Sequence, residues 1–407
     1  MAAERKIVVA IPLMDELENV PQFLRSLENQ SYRNFMVVVC INQPDEWWNN
    51  QERKDICKRN QETLALLKDQ QHAFFTVIDR SSPGSGWDTK KYGVGWARKI
   101  AMDHASALTG NHDIILTLDG DTTFSAHYFQ SVANAFDEYP DIKAITVPYY
   151  HPLPLEDEPA ARAILRYEIY MRYYAMNMLR IGNPYAFTAL GSAIACTAQT
   201  YQSIGGITPH KSGEDFYFVQ KLRKYGQILI WLDEKVYPAA RFSDRVFFGT
   251  GPAMIRGNSG DWSGYPIFSF LYFDEIKATF DGFEKLFEKD LELPMTTFLM
   301  EKFGKDLWKP LRENASTTDR FIRACQHKVD GLRILQYLKW KIRNDDSNDE
   351  ANLVEFLTRF FPEEDFVKQT NLETINFEQA TIEELNRLRN FLTEKEEVWR
   401  KSIRVLR

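Results

Sequence analysis

Five short apolar runs alternate with helix-like stretches between residues 6 and 147, and this alternation constrains the fold more than any other feature. Lys6 to Ile11, Phe35 to Ile41, Phe74 to Ile78, Ile114 to Leu118 and Ile142 to Val147 each read as a strand buried on both faces. Pro12, the turn Asn42, Gln43, Pro44, and Pro148 end three of them. Val20 to Gln30, Gln51 to Asp69, Val94 to Leu108 and Ala126 to Tyr139 lie between them and read as helices. Apolar strands joined by helices indicate right-handed βαβ units, hence an α/β fold with a mainly parallel sheet flanked by helices. Asn19 ahead of Val20 and Pro21 predicts a helix N-cap followed by proline in the first turn.

The fourth run closes on Asp119, Gly120 and Asp121. Open α/β sheets bind ligands in the crevice beyond the carboxyl ends of their strands, so two carboxylates one residue apart project into it. Such a pair can hold a hard divalent cation, and the cation a diphosphate; the plain alternative is a solvated turn. Downstream, Gly191 to Cys196 form a strand of small residues that lets a ligand approach the backbone. Gly205 and Gly206 follow, then Ser212, Gly213, Glu214 and Asp215. Asp215 falls at or near the start of a helix running through Phe218 and Leu222. Adjacent helical residues diverge by about 100°, so one carboxylate can face the crevice as a base while the other makes structural hydrogen bonds. The competing role for both is to favour the helix N-terminus electrostatically.

The order of these features, from Pro12 and Glu16 through Gly93, Gly95, Ala97 and Arg98 to Asp119-Gly120-Asp121 and Glu214-Asp215, resembles the family-2 glycosyltransferases of the GT-A fold over roughly Lys6 to Gly251. The resemblance implies inverting transfer of a sugar from a UDP- or GDP-type nucleotide-diphosphate donor, with Mg²⁺ or Mn²⁺. It implies Asp121 as the direct metal ligand, Asp119 near the metal and donor ribose, and Asp215 as the base that deprotonates the acceptor hydroxyl. Pro12, Glu16 and the Asn42 turn would line the nucleoside pocket, with Arg98 near the donor. One base opposite the leaving group gives inversion without a covalent intermediate, which agrees with the lack of a Ser, His or Cys nucleophile motif.

Departures from the family pattern leave some roles open. Where many relatives carry an aspartate at the end of the second strand, Asn42, Gln43, Pro44 and Asp45 stand; Asp79, ending the third run, either serves instead or is a turn residue. The Gln-x-x-Arg-Trp signature of processive synthases is absent, which favours a single transfer per encounter. In its region Arg241 and Arg245 precede Gly249 and Gly251 and form either a lid over the diphosphate or plain surface arginines. His210 touches metal or acceptor, or is structural. Two other functions compete: a sugar-phosphate nucleotidyltransferase, disfavoured by the acidic, glycine-free segment after the first strand, and a catalytically silent glycan-binding module on the same scaffold.

These readings divide the chain into a catalytic domain over 1–255, with halves at about 1–112 and 113–255, and a mostly helical region over 256–407. A long helix from Pro159 to Arg180 carries Ile164, Tyr167, Met171, Tyr174 and Met178 on one face, as core or subunit contact. Asn344 to Asn352 reads as a polar, acidic loop and Ile382 to Leu406 as a charged amphipathic helix. The aromatic stretch from Trp262 to Phe273, flanked by Asp261, Asp274 and Glu275, is expected to pack on the catalytic domain near the acceptor entrance, whose occupant would be a glycan, a lipid-linked sugar or another hydroxyl compound. A net charge of −7 argues against nucleic-acid partners. No run approaches the roughly 20 apolar residues that span a bilayer, and residues 1–6 pass straight into a strand without a signal-peptide pattern. Cys40, Cys57, Cys196 and Cys325 are scattered, which suggests neither zinc nor disulfides and places the chain in a reducing cytoplasm, with at most peripheral contact at the inner membrane face.

Overall fold

The computed structural model describes residues 4–69, 74–88, 93–191, 193–244, 249–344, 348–370 and 375–406. They form two compact units, one of Met1–Ile164, Phe187–Asp261 and Ile403–Arg407, the other of Leu165–Ala186 and Trp262–Ser402.

The first unit contains β1 (Ile7–Leu13), α1 (Val20–Glu28), β2 (Phe35–Asn42), α2 (Lys54–Asp69), β3 (Phe75–Arg80), α3 (Val94–Ala107), β4 (Ile114–Thr117), β5 (Thr122–Phe124), α4 (Tyr128–Glu138) and β6 (Ile142–Thr146). After α5 (Glu158–Arg180), which begins in this unit, come β7 (Ile194–Thr197), α6 (Ala198–Ser203), α7 (Glu214–Tyr225), β8 (Gln227–Leu229), β9 (Val236–Pro238) and β10 (Val405–Leu406). Eight strands make one sheet in the order β10-β8-β6-β7-β4-β1-β2-β3. β3, β2, β1 and β4 run parallel, as do β6 and β8. β7 enters antiparallel between β4 and β6, and β10 pairs antiparallel with β8. All seven residues of β1 and all four of β4 are buried, as a sheet covered on both faces requires. α1 buries Val20, Phe23, Leu24 and Leu27, one apolar face at three-to-four spacing.

The register of the central strands makes the crevice. β4 pairs with β1 only as far as Ala10–Thr117, while β1 and β2 continue together to Leu13–Ile41. The Asp119 turn therefore opens beside the projecting end of β1. Pro12 lies where β4 has ended, so its missing N–H interrupts no bond to that strand. Gly120 permits the close fit: a Cβ there would stand 2.1 Å from Leu13 Cδ2.

The second unit is helical, and its core holds buried charge. Arg172 donates to Glu168 at 2.7 Å and to Glu396 at 2.8 Å; Arg389 donates to Glu168 at 2.9 Å and Arg400 to Glu396 at 2.6 Å. The aromatic stretch packs on α5 within this unit: Tyr265 meets Tyr167 edge-on at 5.0 Å, and Tyr173 Oη donates to the Phe268 carbonyl at 2.6 Å. The acidic segment expected as a loop is a helix from Asp349 onward. Asn348 caps it by accepting from Ala351 N at 2.6 Å, and Asp349 holds Ile267 N at 2.8 Å and pairs with Arg166; acidic residues suit a helix start. The C-terminal helix stops at Ile403, where Arg404 takes a left-handed φ of 56° and turns the chain into β10. Among the described residues, no helix is long and apolar enough to cross a membrane.

Candidate active site

Arg98 connects the two acidic signatures. It lies on the first turns of α3, and its guanidinium donates to Thr117 Oγ1 at 2.6 Å, the Gly191 carbonyl at 3.0 Å, Asp119 Oδ1 at 2.8 Å and Glu214 Oε1 at 3.0 Å. Gly191 is required there, since a Cβ would stand 2.3 Å from Arg98 Nη2. The small residues read as an approach for a ligand thus admit the chain's own arginine. Burial alone would weaken the guanidinium's hold on its proton, but Asp119 and Glu214 outweigh it, so Arg98 stays charged.

Glu214 is the first residue of α7 and buried, with its carboxylate on Arg98. Asp215 is half-buried beside it. Withdrawal from water, then the negative charge of Glu214, push its carboxyl up to about 7, against the opposing pull of Arg98 and the Phe216 N–H. Two adjacent carboxylates therefore differ in character: Glu214 is held on Arg98, while burial beside it raises the proton affinity of Asp215.

Arg241 makes the second cluster. Its Nη2 lies 2.6 and 2.5 Å from the two oxygens of Glu16 and 3.3 Å from Asp121 Oδ2. The loop carrying Glu16 is tightly held. Asp15 adopts a left-handed φ of 60°, with its N–H on Asn60 Oδ1 at 2.8 Å and its carboxylate gripped by Arg59 at 2.5 and 3.0 Å. Asn19 occupies the N-cap position of α1, yet its side chain makes no cap bond; it donates to Glu16 Oε2 at 2.8 Å instead.

On the other side of β1, Asn42 donates to the Leu13 carbonyl at 2.9 Å and accepts from Trp87 Nε1 at 3.2 Å. Arg80 stacks over the Trp87 ring at 5.1 Å. Asp79 accepts from the Ser81 and Ser82 N–H groups at 2.9 and 3.0 Å and from Ser82 Oγ at 2.6 Å. Burial raises its proton affinity, but these bonds outweigh it and hold the carboxyl below the usual range. The His210 ring lies 4.5 Å from that of Tyr217. Arg245 lies outside the described residues.

The structure thus joins Asp119, Arg98 and Glu214 in one cluster and Asp121, Glu16 and Arg241 in another; Asn42, Asp79 and His210 belong to neither. Thr117, Asp15, Arg59, Asn60 and Trp87 take part without having been singled out by the sequence. Among the described residues no group of three or more His, Cys, Asp or Glu is placed to hold a metal ion. Asp119 and Asp121 still offer hard oxygens, and Mg²⁺ commonly binds through one or two carboxylates with substrate phosphates completing its shell. Arg241 Nε is a buried donor without a hydrogen-bond partner among the described residues. The residues fit a cation that comes with a diphosphate.

Residues 114–256, which carry Asp119, Asp121, Glu214, Asp215 and Arg241, match the family described as Glycosyl transferase family group 2. No match was found among curated proteins. Among solved structures, the chain is similar to Staphylococcus aureus TarS 1-349 in complex with UDP-GlcNAc, at 14% identity, TM-score 0.40, over 98% of this chain and 91% of that one. It is also similar to the mannosyltransferase PcManGT from Pyrobaculum calidifontis in complex with GDP-Man and Mn²⁺, at 14% identity, TM-score 0.33, over 98% and 88% of the two chains. Both likenesses are remote. The crevice carboxylates Asp119, Asp121, Glu214 and Asp215 all lie within the segment, residues 114–256, that matches the family-2 glycosyltransferases.

Proposed function

We propose that the protein is an inverting, metal-dependent glycosyltransferase that moves a sugar from a UDP- or GDP-type donor to an acceptor hydroxyl, one transfer per encounter, in glycan or glycoconjugate synthesis. The observation that carries this reading is the Arg98 bridge, which ties the donor-side carboxylate Asp119 to the helix end bearing Glu214 and Asp215.

Each residue has a task in that reaction. Asp121 and Asp119 would hold Mg²⁺ or Mn²⁺, which when bound supplies positive charge against the departing diphosphate. Arg98 fixes both Asp119 and Glu214 by donating to each carboxylate. Glu214 in turn helps to raise the proton affinity of Asp215. Asp215 accepts the acceptor's proton as the hydroxyl oxygen attacks the anomeric carbon. A carboxylate titrating near 7 is better matched to that transfer than one at the ordinary value. Asn42 holds Trp87 at the nucleoside side of the crevice, and Asp79 shapes the turn beneath it.

Incubation with a panel of UDP- and GDP-sugars, with and without Mn²⁺, tests the reading. Slow Mn²⁺-dependent donor hydrolysis, replaced by transfer when an acceptor is added, is expected. Pyrophosphorolysis would point to a nucleotidyltransferase, and failure to bind or cleave any donor to a silent module.

A further inference from the structure

Arg241 and Glu16 raise a question of charge that the reaction alone does not answer. A guanidinium within reach of Asp121 competes with any cation that carboxylate is to hold. Its contacts are unequal: both Glu16 oxygens lie within 2.6 Å of Nη2, while Asp121 Oδ2 lies at 3.3 Å. Glu16 is 6% exposed and Arg241 31%, so the carboxylate is the fixed partner and the arginine the accessible one.

The loop explains why Glu16 is fixed. A non-glycine residue with a left-handed backbone is strained and persists only where its surroundings hold it. At Asp15 those surroundings are the bond to Asn60 and the paired bonds to Arg59. Asn19 adds a direct bond to Glu16. Three residues thus hold the loop: Asn60 and Arg59 through Asp15, and Asn19 through Glu16 itself.

We propose that Glu16 is a positioning residue for Arg241: it draws the guanidinium off Asp121 and leaves that carboxylate for a divalent cation. The inference rests on the reading of Asp121 as the cation's ligand. Arginine suits the task because its guanidinium stays charged and Nη2 lies within reach of both carboxylates. With Glu16 neutralised, Asp121 becomes the strongest remaining partner of Arg241, and the arginine and the metal then contend for it.

The test is Mn²⁺ affinity of the full chain, read from the EPR signal of free Mn²⁺ with no nucleotide present. Glu16→Gln should weaken Mn²⁺ binding about tenfold, the scale of outer-partner effects on metal sites. Arg241→Gln should strengthen it, because a competing cation has gone. The double variant E16Q/R241Q should recover at least the wild-type affinity. A purely structural role for Glu16 would lower thermal stability without giving shifts of opposite sign. An unchanged affinity in Glu16→Gln, or shifts in the same direction in both single variants, overturns the proposal. Asp121→Asn separates the two levels. If it loses Mn²⁺ while Glu16→Gln does not, only the positioning role fails; if wild type and Asp121→Asn bind Mn²⁺ alike, the cation site is misplaced and the positioning role fails with it.

Discussion

Arg98 Nε donates to Glu214 Oε1 at 3.0 Å, and both side chains are 3% exposed. A buried ion pair contributes little net stability beside an apolar pair of the same shape, but removing one partner strands a charge and costs about 3–5 kcal/mol. Arg98→Met should therefore destabilise the first unit by about that amount in urea unfolding. R98M/E214L should recover part of the loss while remaining inactive, since Asp119 also loses its partner.

Asp215→Asn keeps the shape of the side chain but cannot take a proton. Turnover should fall about 10²–10⁴-fold, with donor affinity by calorimetry nearly unchanged. Loss of activity in Glu214→Gln with retention in Asp215→Asn would reverse the two roles.

The raised Asp215 carboxyl, about 7 against a usual 3.8, also predicts two pH effects. Its ionised fraction grows through pH 7, so kcat should rise along an acid limb centred there. Glu214→Gln removes a charge that pushes the carboxyl up, so in that variant the limb should move to lower pH. For stability the sign is opposite. A folded value above the unfolded one means that the stabilisation is fully present below about pH 4 and is lost as pH rises through 7. At pH 8, Asp215→Asn should accordingly unfold at a higher temperature than wild type.

In the second unit Glu168 holds both Arg172 and Arg389 in full burial. Glu168→Gln should lower its stability by about 3–5 kcal/mol, which partial unfolding followed by tryptophan fluorescence would detect. Activity per folded molecule should change little.

Local patterns were legible in the sequence and long-range pairings were not. Apolar runs announced β1, β2 and β4 because strands buried on both faces carry a continuous signal; β3, read as buried on both faces, is the edge strand and only half-buried along its whole length. The insertion of β7 between β4 and β6 left no such trace, since strand order is decided by packing partners about 80 and 50 residues away. β10 is two residues long and was hidden in the helical pattern before it. At the site, Asp119, Asp121 and the Glu214–Asp215 pair stood out by their place after a strand and at a helix start. Arg98's bond to Glu214 spans 116 positions, and Arg59's grip on Asp15 depends on a left-handed residue that an aspartate does not advertise. Gly191 was noticed as a place of close approach, but only the fold identifies Arg98 as what approaches.

Calorimetric titration of a bound UDP- or GDP-sugar into wild type and Asp121→Ala, each with and without Mn²⁺, bears most directly on the central claim. Asp121 is half-buried beside the crevice, so the variant should fold with an unchanged circular dichroism spectrum. Wild type should bind the donor more tightly with Mn²⁺, and in Asp121→Ala that metal-dependent gain should vanish along with transfer. An equal Mn²⁺-dependent gain in the folded variant would contradict the assignment of Asp121 as the ligand that couples metal to donor.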